Sequence, residues 1–177
     1  MEATLFALHV VVGALFVGHG AQKLFGWFGG YGLEGTAGFM ESLGFRPGRL
    51  HALASGAAEL GGGILLALGL LVPLAAVLLT AVMLVAVFTV HRGKGPFNEN
   101  GGWELNLVYI LATLTLAGVG AGDWSLDAVL DLDLAGTEWA LGAAGAGVLG
   151  AIGAFASTRL SPAAEGQGTG GGRPQGA

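Results

Sequence analysis

Leu60-Gly61-Gly62-Gly63-Ile64-Leu65-Leu66-Ala67-Leu68-Gly69-Leu70-Leu71-Val72-Pro73-Leu74 opens an almost unbroken apolar run that continues to Val90, and the way this run divides decides the fold. Proline lacks the N–H that a helix interior needs and pushes the residue before it out of the helical region. The run is therefore split at Gly69–Pro73 into two spans with almost no loop, a tight antiparallel hairpin. Working outward, the chain reads as five apolar segments, at residues 4–22, 52–71, 72–90, 105–119 and 138–156. A bilayer crossing needs about 20 predominantly apolar residues. Four segments reach or approach that length, and the shorter fourth one is flanked by Trp103 and Trp124. Threaded in order, they put Lys23, Arg46 and Arg49 in the first loop, Arg92 and Lys94 in the third, and Arg159 and Arg173 in the tail. The N-terminus, second loop and fourth loop hold no Lys or Arg. Basic residues gather on the cytoplasmic side of a membrane. The expected architecture is all-α: a polytopic helix bundle over residues 1–158 in the plasma (inner) membrane, N-terminus outside and C-terminus cytoplasmic. Trp27 and Trp103 then fall at the inner interface and Trp124 and Trp139 at the outer one, the depth Trp favours.

Composition agrees. Hydrophobic residues make up 53% of the chain and charged ones 11%, with a mean hydropathy of +0.71; a soluble domain carries about twice that charge. A net charge of −5 offers no basic patch for nucleic acid. With no cysteine there is no disulfide, no thiolate catalysis and no thiolate-held metal site. Met1-Glu2 gives no basic n-region before the first span, which is read as a retained helix rather than a signal peptide. The segment 159–177, rich in Gly, Pro, Gln and Thr after Ser161, is expected to be a disordered cytoplasmic tail.

The loops differ. The first, from Leu24 to Leu50, begins Phe25-Gly26-Trp27-Phe28-Gly29-Gly30-Tyr31 and continues with a short amphipathic helix over 33–45, expected to lie in the inner interface. The fourth, from Gly120 to Thr137, carries Asp123, Asp127, Asp131 and Asp133 and reads as a solvated acidic loop; no EF-hand spacing supports a cation site, and no metal site is expected. Gly30-Tyr31-Gly32-Leu33-Glu34-Gly35 and Gly145-Ala146-Gly147-Val148-Leu149-Gly150 both match G-x-G-x-x-G, but neither follows a strand, the context that gives the motif meaning. In the last span Gly142, Ala146, Gly150 and Ala154 recur every four residues. Such a stripe lets membrane helices approach closely, here towards another span or a second copy in a homo-oligomer.

Polar groups inside spans are costly and often functional. His19, Gln22 and Lys23 share one face at the end of the first span. His51, Ser55, Glu59 and Gly63 follow at four-residue steps in the second, which puts Glu59 ~12 Å along the helix from His51. His91 ends the third span, and Glu104 and Asn106 open the fourth. By topology all converge on the cytoplasmic half. Glu59 and Glu104 are the candidate catalytic groups; His19, Gln22, Lys23, His91 and Asn106 are the candidate ligand contacts. Simpler readings stand beside these. Lys23 snorkels to the surface, Glu104 stabilises a helix N-terminus, His91 marks the interface, His9 meets a packing need, and Glu59 forms a structural pair with Lys23 or His19. A carboxylate at that depth must be paired, hydrogen-bonded or protonated.

His19-Gly20-Ala21-Gln22-Lys23-Leu24-Phe25-Gly26, Phe28-Gly29-Gly30-Tyr31-Gly32, Glu59-Leu60-Gly61-Gly62-Gly63, Gly101-Gly102-Trp103-Glu104-Leu105-Asn106 and Gly122-Asp123-Trp124-Ser125-Leu126-Asp127 together resemble the DoxX family of small bacterial membrane proteins. The resemblance covers about residues 3–130 and implies a four-helix core, to which this chain adds a Gly/Ala-rich fifth span. It implies a link to thiosulfate:quinone oxidoreductase and to membrane complexes of sulfur metabolism and oxidative-stress defence. The polar cluster would then bind a quinone headgroup, with His19, Gln22 or Lys23 donating to a carbonyl and Glu59 or Glu104 relaying protons. Electrons would come from a soluble or membrane redox partner. Two other classes stay open: a non-catalytic scaffold that anchors soluble redox enzymes, and a small transporter. A bis-histidine haem on His19 and His91 is a weaker reading.

Overall fold

The computed structural model describes residues 1–160, with side chains to Thr158. The rest of the expected tail lies outside the described residues. The described chain is all-α and without strands: α1 (Glu2–Phe25), α2 (Gly32–Ser42), α3 (Gly48–Leu68), α4 (Val72–Ala86), α5 (Glu104–Val119), a single-turn α6 (Leu126–Val129) and α7 (Thr137–Leu160). A π-helical turn, Val87–His91, continues α4. α1, α3, α4 with its π turn, and α7 are each long and apolar enough to cross a membrane. α5 is equally apolar but has 16 residues, ~24 Å at 1.5 Å per residue.

The division of the long apolar run falls at Gly69–Leu71. Gly69 closes α3 in the left-handed conformation at φ 58°. Leu71, also left-handed at φ 48°, precedes α4, whose second residue is Pro73. A β-carbon on Gly69 would stand 2.6 Å from Ser125 Cβ, so only glycine fits there. The hairpin is clamped from outside by α6. The Asp127 carboxylate accepts from the N–H groups of Leu71 at 2.8 Å and Val72 at 3.4 Å, and the Asp127 N–H donates to Gly69 O at 2.9 Å. Asp127 thus caps the N-terminus of α4, where a carboxylate is favoured. This corrects the expectation of a uniformly solvated acidic loop: Asp127 is buried.

Glycines set the α1–α3 contact. Added β-carbons at Gly13 and Gly20 would lie 2.5 Å from the backbone nitrogens of Ala67 and Leu60, and one at Gly63 would lie 2.7 Å from Gly13 O. The two helices are therefore antiparallel and in backbone contact, the geometry small residues permit. α7 runs parallel to α4: Gly147 meets Thr80, Gly150 meets Ala81, and Phe155 meets Phe88. Ala143, Gly147 and Ala151 form the buried face of α7, one position round from the predicted stripe, of which Gly142, Ala146 and Gly150 are exposed and Ala154 is half-buried. The main core draws Val12 and Phe16 from α1, Leu66 from α3, Leu79 and Met83 from α4, Leu116 from α5 and Ala143 from α7. A second core joins α2 to α3 through Ala37, Met40, Phe45 and Ala52. Outward faces carry Val11, Leu15, Ile64, Leu111, Leu149 and Ile152, a surface suited to lipid rather than water.

Candidate functional site

Lys23 lies in the last turn of α1, three residues before the left-handed Gly26 that ends the helix. A cation is favoured there by the helix dipole. Across from it, Gly56 of α3 leaves room for this end of α1, above all for Leu24: a β-carbon at Gly56 would sit 2.6 Å from Leu24 Cδ2, and at an ordinary 3.4 Å from Lys23 Cβ. The stem crosses α3, and Lys23 Nζ donates to Ser55 Oγ at 3.0 Å and to Glu59 Oε1 at 2.7 Å. The Glu59 side chain is 3% exposed and that of Lys23 28%. Lys23 does not snorkel outward; it turns inward and holds the buried carboxylate. Glu59 Oε2 has no hydrogen-bond partner among the described residues, which leaves one buried acceptor for a proton, a water or a donor.

Beside this pair opens a cavity of about 640 Å³, within the range of small-molecule sites. α1 contributes His19, Gln22 and Lys23 to its lining, and α3 contributes His51 and Ser55. The apolar walls come from Phe39, Met40 and Leu43 of the α2 region, Val82, Val85 and Ala86 of α4, and Gly150 and Ala154 of α7. Thr89 and Val90 bring the π turn to the edge; such turns are frequent at functional sites. Among the described residues no carboxylate lines the cavity; Lys23 can only donate, whereas the histidines, Gln22 and the hydroxyls of Tyr31, Thr36, Ser55 and Thr89 can donate or accept. Gln22 is committed in part, its Nε2 donating to Phe28 O at 3.2 Å and tying the glycine–aromatic loop back to α1. Thr36 Oγ1 donates to Lys23 O at 3.1 Å and fixes α2 against the same turn.

The predicted cluster separates into two. His19, Gln22 and Lys23 line the cavity, and Glu59 sits outside the lining, bound to Lys23; His91, Glu104 and Asn106 neither line it nor contact that pair. His91 Nδ1 donates to Gly101 O at 2.6 Å, and Glu104 Oε1 accepts from Asn98 N at 2.6 Å. Both close the connection between α4 and α5. Asn106 is buried, with Nδ2 directed to Met83 Sδ at 3.4 Å. Shared depth grouped these residues in the sequence, but they face another helix pair. Conversely, His51 and Ser55 belong to the site. Their signal was the four-residue step to Glu59, which puts all three on one face of α3. His9 is buried, its Nδ1 3.0 Å from Leu66 O, away from the cavity.

The comparisons bear on the same helices. The DoxX family model matches residues 4–92, spanning α1 to α4. The Bacillus subtilis protein named "Putative oxidoreductase CatD" is 32% identical over 126 residues, 71% of this chain and 86% of its own length. A Haemophilus influenzae protein named "Uncharacterized protein" is 35% identical over 127 residues, 68% of this chain and 85% of its own. No solved structure matches the chain. A family match over half the chain, joined to relatives aligned over most of their own length, establishes that this integral membrane protein belongs to the DoxX family.

Proposed function

We propose that the protein is the quinone-interacting membrane subunit of a redox complex, set in the plasma membrane with its C-terminus in the cytoplasm. The observation that carries this reading is Lys23, which both lines a largely apolar cavity and binds a buried carboxylate. The residues suit a quinone headgroup: the walls accept a ring, Lys23, His19 and Ser55 offer donors to a carbonyl oxygen, and the volume leaves room for the start of a lipid tail. When bound, the quinone takes two electrons from a partner protein and two protons to become a quinol. Lys23 orients the carbonyl oxygen, and Glu59, behind it, supplies or receives a proton through the lysine or a water. Glu104, tied to Asn98 outside the cavity, is the weaker candidate for that role. The name of the Bacillus subtilis relative supports the redox assignment. The link to sulfur metabolism or oxidative stress rests on the family resemblance. The scaffold reading is favoured by one feature: Lys23–Glu59 is also a direct clamp between α1 and α3.

The test is purification in native lipid, with quinone and partner proteins identified by mass spectrometry. The wild type is expected to carry quinone, and Lys23→Met to lose at least ~90% of it, since a charge-assisted hydrogen bond contributes ~1.5–3 kcal/mol. Glu59→Gln should insert and retain its partners but lose quinone-linked turnover. A quinone-free wild type that still holds redox enzymes, with full activity of those enzymes in the Gln variant, makes the protein a scaffold.

A further inference from the structure

We infer that His51 is the second headgroup contact of this cavity, and that the ligand is a ring with two acceptor oxygens on opposite edges, held by Lys23 at one and His51 at the other. The inference rests on the quinone reading above and adds the residue that selects a dione over a monocarbonyl. Lys23 Nζ is anchored at Ser55, and His51 lies one turn before Ser55 on the same face of α3, ~6 Å along the axis. Both residues line the cavity. The His51 ring is held in place by packing on Phe45, with centroids 5.1 Å apart; its Nε2 is 3.5 Å from Ser157 Oγ of α7, too long a contact to engage the imidazole N–H, which stays available to the cavity. His19, the other imidazole of the lining, is exposed. A donor already fixed by packing loses less freedom on binding than a loose one, so the half-buried His51 is the better second contact. Gly150 and Ala154 in the lining also make α7, a helix beyond the family match, part of this site.

The experiment compares binding of 1,4-naphthoquinone, with two ring carbonyls, and α-tetralone, with one, to the full chain in lipid nanodiscs by quenching of tryptophan fluorescence. His51→Phe is expected to weaken naphthoquinone at least ~10-fold, the weight of one hydrogen bond, and to change tetralone less than 3-fold. Lys23→Met should weaken both. His51→Gln, which keeps a donor of similar reach, should recover most of the naphthoquinone affinity and guards against a packing effect of Phe. Equal loss for both ligands, no loss for either, or the same discrimination arising at His19→Phe instead would overturn the role of His51 while leaving the quinone reading intact. A wild type that binds neither ligand would overturn both.

Discussion

At the scale of single residues, the Lys23–Glu59 pair is asymmetric, and the asymmetry is testable. Both ends are taken from water, but Glu59 is almost wholly enclosed and Lys23 is more than a quarter exposed. Breaking a buried pair leaves an uncompensated charge, at a cost of ~3–5 kcal/mol, whereas replacing both partners by apolar groups is often neutral. Lys23→Met strands the enclosed carboxylate and should cost most. Glu59→Leu strands an ammonium that can swing towards solvent or headgroups, and should cost about half as much. The double variant should recover much of the stability of the wild type while abolishing quinone retention. Thermal unfolding in detergent checks the order; two equal single penalties would mean that Lys23 is as trapped as its partner. The pair was only half legible in the sequence. Depth and spacing singled out both residues, but Lys23 as partner rather than His19 depends on how closely α1 approaches α3 beside Glu59, where a β-carbon at Gly20 would lie 2.5 Å from Leu60 N. One glycine among 35 carries no such signal by itself.

At the scale of elements, legibility follows the locality of the cause. The turn at Gly69–Pro73 could be read because proline and glycine act on their own backbone. The role of Asp127 could not, because the N–H groups it caps are supplied from another part of the chain. The same limit explains α5 and its approach. His91, Glu104 and Asn106 share a depth with the cavity residues, but their direction is set by the packing of α4 on α5. Glycine and alanine fill neighbouring rows of α7, so spacing alone does not tell the row buried in the bundle, Ala143, Gly147 and Ala151, from the stripe of Gly142, Ala146, Gly150 and Ala154 beside it. Packing now separates the rows. A β-carbon at Gly147 would lie 2.7 Å from Thr80 Cγ2, whereas Gly142 has nothing within 4 Å. Gly147→Leu should therefore lower stability by ~1–3 kcal/mol, the usual range for overpacking, and loosen the cavity wall that α7 provides. Gly142→Leu should leave unfolding of the isolated chain unchanged. Light scattering of both variants in detergent adds the remaining distinction: a drop in oligomer size confined to Gly142→Leu would assign the outer row to contact between copies.

For the whole molecule, the directions of the helices make a single argument with the charges. α1 and α3 are antiparallel by their glycine contacts, α3 and α4 form the hairpin, and α4 and α7 are parallel. α5 returns between them, with Asn106 beside Met83 at its start and Gly118 O accepting from Gly136 N at its end. One end of the bundle therefore gathers Lys23, Arg46, Arg49, Arg92 and Lys94, and the other gathers Glu2, Asp123, Asp127, Asp131 and Asp133 without a Lys or Arg among the described residues. Only basic residues weigh in orientation, so Glu34, Glu41, Glu99 and Glu104 at the basic end do not offset it. If all five long helices cross the membrane, the termini lie on opposite sides; loss of any one crossing would bring them to the same side. The crossing most open to doubt on length is α5, ~24 Å against a hydrocarbon core of ~30 Å, a mismatch that local thinning or flanking residues accommodate at modest cost. A reporter active only in the cytoplasm, fused after Leu160, is expected to be active, and one active only outside, fused after Leu130, equally so. Activity of the cytoplasmic reporter at both sites would remove α5 as a crossing. Inversion of the whole pattern would turn the basic end outward and place the Lys23 cavity within reach of the opposite leaflet, where a cytoplasmic electron donor could not serve it.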